Sequence, residues 1–157
     1  MIPTTGHGAT EMNPVHVPDA GERFLSFIGD ETYPCVGARM ALSRDSIEIH
    51  EFGALGDRDN DQPMLEGLSR FVAMIEASAW DDDTVHSYVA IFHGPFGMSE
   101  LRFESQMWSQ LWRVHKLDVE AGNLPADDVS SDADSPHFSL SLAGHPFFLI
   151  GLHPHAS

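Results

Sequence analysis

Near the end of the chain two histidines flank a proline, His153-Pro154-His155, directly after the apolar run "PFFLIGL". On an extended backbone, positions i and i+2 project to one side, so the pair suits two ligands of one metal ion, stiffened by Pro154. A zinc site needs two further ligands, and His93 in "IFHG" and His115 in "RVHK" supply them only if the fold brings them close. A heme iron asks for less: one proximal imidazole and a large apolar, aromatic slot for the porphyrin. Phe147, Phe148, Ile150, Leu152, Trp108 and Trp112 offer side chains for such a slot, although aromatic stripes more often build ordinary core. Cys35 follows Tyr33-Pro34 at the start of a short helix, where backbone N–H groups lower a thiol pKa and favour reactivity or metal binding. A small buried hydrophobe is the commoner role for a lone cysteine. The chain carries no Gly-rich nucleotide fingerprint, Walker loop, "GxSxG" elbow or "HExxH" helix.

The elements that must position these residues can be read from periodicity. Residues 1–18, with three prolines and no hydrophobic period, read as a flexible lead-in to a single domain over 19–157. Asp19 is a helix N-cap, Phe24, Leu25, Phe27 and Ile28 share one side of the helix, and Gly29 ends it. A second short helix spans about Val36 to Ser43. "SIEIHEF" alternates as a half-buried strand. Pro63 sits in the first turn of an amphipathic helix carrying Leu65, Leu68, Phe71 or Val72, and Ile75, and "VHSYVAIFHG" follows as a buried strand. The longest helix runs from about Ser99 to Glu120, with Phe103, Met107, Leu111 and Val114 as its apolar stripe. Beside that stripe Trp108, Trp112 and His115 are spaced four and three apart and can share a face. After an acidic loop, "FSLSLAGHPFFLIGL" reads as two strands turning around Gly144, His145 and Pro146. The fold class is α+β, or α/β: helices packed on a small sheet, with a C-terminal β-hairpin.

Composition narrows the partners. Among 157 residues, 24 acidic side chains face 8 basic ones, a formal charge of −16 that repels phosphate backbones and anionic membranes. Neither nucleic acid nor membrane is expected as a partner, and no stretch reaches the roughly 18 apolar residues of a membrane span. One cysteine excludes an intramolecular disulfide framework and, with no signal peptide, implies a cytoplasmic protein.

Three segments, "YPCVGARMAL", "MWSQLWRVHKLD" and "PHFSLSLAGHPFFLIGLHPHAS", occur in the order and approximate spacing of the YqcI/YcgG family, which they resemble over roughly residues 22–157. The family includes heme-dependent oxygenases that N-hydroxylate guanidino groups of arginine-like amino acids. The resemblance therefore implies heme b as cofactor and a small-molecule amino or guanidino substrate. It carries the proximal iron ligand to His153 of "GLHP", with His155 as second candidate and Cys35 of "PC" as outside choice. It places Trp108, Trp112 and His115 on a helix flanking the porphyrin, His115 being either distal to the iron or a hydrogen-bonded core residue. Phe148 and Leu152 would line the pocket beside the ligand, and Phe138, Ser139 and Ser141 would line the cavity. Family members continue past "GLHP", so this chain is expected to correspond to the N-terminal part of the fold, or to be completed by a homo-oligomer or a complementing chain. A non-catalytic heme-binding module is the alternative to an enzyme.

Overall fold

The computed structural model describes residues 18–78, 83–124 and 140–154. Helix α1 (Ala20–Ile28) begins on a reciprocal cap: the Asp19 carboxylate accepts the Glu22 N–H at 2.8 Å, and the Glu22 carboxylate accepts the Asp19 N–H at 2.9 Å. Helix α2 (Val36–Ser43) begins on Cys35, whose sulfur accepts the Ala38 N–H at 3.5 Å. Ile28 in α1 and Ala41 in α2 are buried, and the two helices pack on each other.

Strand β1 (Ile47–Phe52), helix α3 (Asp61–Ala77) and strand β2 (Ser87–Phe92) form a β-α-β unit. The strands pair in parallel, from Ile47 opposite Ser87 to Phe52 opposite Phe92. Parallel strands need cover on both faces. On one face Phe52, Tyr88, Ala90 and Phe92 pack against a core of Met64, Leu65 and Leu68 from α3, Val114, Leu140 and Leu142. On the other face Ile49 lies against α1 at Gly21. Helix α4 (Glu100–Glu120) starts on the Ser99 hydroxyl, which accepts the Arg102 N–H at 3.3 Å, and it packs along α3.

A hairpin of β3 (Leu140–Leu142) and β4 (His145–Phe147) completes the core. Its turn is Ala143-Gly144, with φ of 51° and 76°, the left-handed pair that a two-residue turn needs to match strand twist. The expected turn at Gly144-His145-Pro146 is thus shifted by one residue. His145 and Pro146 belong to β4, and Pro146, which has no N–H to donate, fits an edge strand. The expected second strand is also shorter than the apolar run. Beyond Phe147 no backbone hydrogen bond continues the ladder among the described residues, and Phe148 is 90% exposed. The fold is α+β, as the sequence indicates, with the parallel pair as its α/β element. No helix among the described residues is long and apolar enough to cross a membrane. The lead-in to residue 17, the acidic loop from residue 125 on, Phe138, Ser139 and His155 lie outside the described residues.

Candidate functional site

Helix α4 carries two apolar faces. The inner face holds Phe103, Met107, Leu111 and the fully buried Val114. Roughly 120° round the helix lies a second stripe, Leu101, Trp108, Trp112, His115 and Val119, in which Leu101 is 80%, Trp112 43% and Val119 44% exposed. The spacing of seven, four, three and four residues keeps all five side chains on one side of the helix. Trp108, Trp112 and His115 therefore share a face, as their spacing indicates.

His115 is the polar member of that stripe, and its orientation is fixed. Its Nδ1 lies 2.9 Å from the Ser141 carbonyl oxygen on β3. A carbonyl only accepts, so Nδ1 is the protonated nitrogen, and in the neutral ring the lone pair sits on Nε2. The Trp112 indole meets the imidazole edge-on at 5.5 Å. One turn further along, the buried Asp118 carboxylate accepts the Ala143 N–H at 2.8 Å and the Asn123 side-chain amide at 2.6 Å. His115 and Asp118 together fasten the hairpin to α4.

His153 lies elsewhere. Its Nε2 is 2.8 Å from the Met98 carbonyl, before α4, and its ring leans on Phe103 of the inner face at 5.3 Å. The same donor logic puts the His153 proton on Nε2 and the lone pair on Nδ1. The chain reaches this position because Gly151 passes close to α4: a Cβ there would stand 3.0 Å from the Met107 sulfur and 3.1 Å from the Phe103 ring. Phe148 and Leu152 point outward, 90% and 47% exposed, without forming an enclosed slot. Cys35 caps α2, a helix packed on α1. The tryptophan face and His115 thus come together, while His153 and Cys35 occupy two other places. No group of three or more His, Cys, Asp or Glu side chains able to hold a bare metal ion occurs among the described residues. Zinc by shared histidines is not supported there, whereas a heme needs only one imidazole and apolar cover.

Two polar arrangements have no signature in the sequence. Asp61, at the start of α3, is 7% exposed and bound by Arg113, with Nε to Oδ2 at 2.7 Å and Nη2 to Oδ1 at 3.0 Å, and by the side-chain amide of Gln110. Gln110, 1% exposed, also accepts the Gly56 N–H at 2.9 Å, and Arg113 donates to the Gly56 carbonyl at 3.0 Å. This network pins the loop after β1 to α4. The second arrangement is a stack on the core face of the sheet. Glu48 binds His50 at 2.5 Å, and His50 stacks on Tyr88 at 4.6 Å. Burial, with the Glu48 charge second, pushes the Tyr88 phenol well above its ordinary value. At the carboxyl end of the same strands, Glu51 and His93 form an exposed pair at 2.6 Å.

The sequence pattern of the YqcI/YcgG family matches residues 24–157. The chain belongs to the YqcI/YcgG family. No curated protein and no solved structure matches it. Within this YqcI/YcgG chain the matched region takes in every strand and helix described, apart from the first four residues of α1. It also takes in each candidate ligand, His153, His155 and Cys35, and His115 as well.

Proposed function

We propose that the chain is the heme-binding part of a heme-dependent oxygenase that N-hydroxylates a guanidino or related amino compound. One observation carries the reading: an imidazole oriented at one nitrogen by a backbone carbonyl sits within an exposed tryptophan-bearing stripe. Metal-ligating histidines are held in this way, the hydrogen bond on one ring nitrogen fixing the tautomer and raising the basicity of the other. The imidazoles suit an iron that asks for one nitrogen donor. His115 and His153 each have such a carbonyl, and family likeness favours His153 as proximal ligand. Trp108 and Trp112 supply apolar surface beside His115, and Phe148 and Leu152 supply exposed apolar surface near His153. When bound, heme b supplies the oxygen chemistry, drawing on dioxygen with external electrons or on peroxide. The chain's part is to hold the group, set its polarity and place the substrate nitrogen. Its surplus of carboxylates draws a guanidinium cation toward the surface.

A second reading, a non-catalytic heme-binding module or a subunit completed by a partner chain, is favoured by the uncovered apolar surface. Phe96 is 91%, Phe148 90% and Ile150 58% exposed. Hemin titration followed by ultraviolet–visible spectra, before and after reduction and carbon monoxide, separates the possibilities. A stoichiometric Soret band of histidine-ligated type and hydroxylation of guanidino amino acids is the expected result, with Cys35→Ala leaving the spectrum unchanged. A band without turnover, or turnover only on mixing with a second polypeptide, favours the second reading. No saturable band would remove heme from both.

A further inference from the structure

We infer that the segment Phe148–Leu152 is an assembly edge at which two copies of this chain pair antiparallel across a twofold axis, with Ile150 opposite Ile150. The inference concerns assembly and is independent of any cofactor. The burial pattern of β4 runs on past its last ladder partner. Phe147 and Leu149 pack on the core cluster and Gly151 lies against Phe103 and Met107 of α4, whereas Phe148, Ile150 and Leu152 are 90%, 58% and 47% exposed. That period of two is the period of a strand. Yet no backbone hydrogen bond is made from Phe148 to Leu152 among the described residues. In an antiparallel ladder, alternate residues turn their backbone groups to opposite edges. The two-residue turn closes on the pair Leu142–His145, and Leu140–Phe147 bonds in the same way, so positions 146, 148, 150 and 152 face the edge away from β3. Pro146 has no N–H to offer there. Phe148, Ile150 and Leu152 offer both an N–H and a carbonyl.

An edge of this kind is covered by another extended strand, whose backbone completes the hydrogen bonds while its side chains meet the exposed row. A twofold axis through Ile150 sets Phe148 against the partner's Leu152 and Ile150 against the partner's Ile150, each facing pair exchanging both backbone bonds. Charge and area favour a second copy as the occupant. Residues 144–154 contain no Asp, Glu, Lys or Arg, so the formal charge of −16 has no member at this edge and opposes pairing only from a distance. The His153–Met98 bond brings the end of the segment beside the loop that carries Phe96 and the first turn of α4 that carries Leu101, which are 91% and 80% exposed. Together the five apolar side chains expose on the order of 600 Å², the upper end for the largest patch of a monomer. Covering that area on each copy reaches the lower bound of a standard interface, roughly 1,200 Å² in total.

Sedimentation equilibrium of the full chain is expected to show a monomer–dimer equilibrium that moves toward dimer as salt is raised, because salt screens the repulsion between two acidic chains. Ile150→Lys sets two ammonium groups against each other on the axis. It should raise the dissociation constant at least about a hundredfold, while the dilute monomer unfolds at the wild-type temperature. Cross-linking reads the register. In a Cys35→Ser background, Ile150→Cys should give a disulfide-linked dimer on oxidation with diamide, since facing Cα atoms stand about 5.5 Å apart, within disulfide reach. Phe148→Cys in the same background should not link, because its two copies lie about 14 Å apart along the ladder. A chain that stays monomeric at every concentration, including one that pairs only with a strand of another polypeptide, would overturn the inference. So would a dimer indifferent to Ile150→Lys, linking through position 148 as readily as through 150, or growth without limit into fibres.

Discussion

Arg113→Ala is expected to destabilise the protein by about 3–5 kcal/mol, because it leaves the buried Asp61 carboxylate without its cation. Asp61 is 7% exposed, and its two oxygens take both Arg113 hydrogen bonds together with the Gln110 amide. With the guanidinium gone, one amide hydrogen bond remains to compensate a desolvated charge, and the Gly56 carbonyl loses its partner too. The loop after β1, the start of α3 and the middle of α4 should loosen as one unit. Urea unfolding measures the loss directly. A change below about 1 kcal/mol, the range of exposed ion pairs, would show that the network is solvated and ornamental. Removing both charges in Arg113→Met with Asp61→Leu should recover most of the loss, since apolar replacements of a buried pair are often neutral.

The second large effect is at Gly67 on α3. Gly→Ala inside a helix ordinarily stabilises by about 1 kcal/mol. Here a Cβ would stand 2.6 Å from the Tyr88 hydroxyl oxygen and 3.5 Å from the His50 ring. Gly67→Ala should therefore cost about 1–3 kcal/mol, the usual range for overpacking. The Tyr88 hydroxyl is itself buried without a hydrogen-bond partner. Such a group costs about 1–3 kcal/mol, so Tyr88→Phe alone should raise the melting temperature. In the Tyr88→Phe background the clash disappears and Gly67→Ala should become neutral or stabilising. Thermal unfolding of the four proteins of this double-mutant cycle gives the coupling. Additive effects would mean that helix and strand part easily, and the close approach would then carry no energetic meaning.

Both cases show where the sequence is legible and where it is not. Caps and periods are local, so Asp19, Gly29, the boundaries of α2 and the stripe of α4 can be read directly from residue order. The face shared by Trp108, Trp112 and His115 follows from helical geometry alone. Strand direction is not local: nothing in "SIEIHEF" or "VHSYVAIFHG" says that they pair in parallel, only that a helix-length segment lies between them. Asp61, Gln110 and Arg113 look like ordinary surface residues of two helices until α3 and α4 meet. The run Phe148–Leu152 misleads because strand propensity states which residues suit a sheet and leaves open whether a neighbouring strand is there to pair with them. The Nδ1 bond of His115 to the Ser141 carbonyl is set by tertiary contact between α4 and the hairpin, and nothing in the residue order of either segment announces it.

The parallel pairing of β1 and β2 also bears on the order of assembly. Its partners, such as Ile47 and Ser87, are forty positions apart, whereas the hairpin joins Leu142 to His145 across two residues. Closing so wide a separation carries an entropy cost that local turns avoid, and formation of α3 shortens the span before the strands meet. The helices and the hairpin can form early, on local contacts. The β1–β2 ladder is expected to close late, since contacts between distant positions generally slow folding.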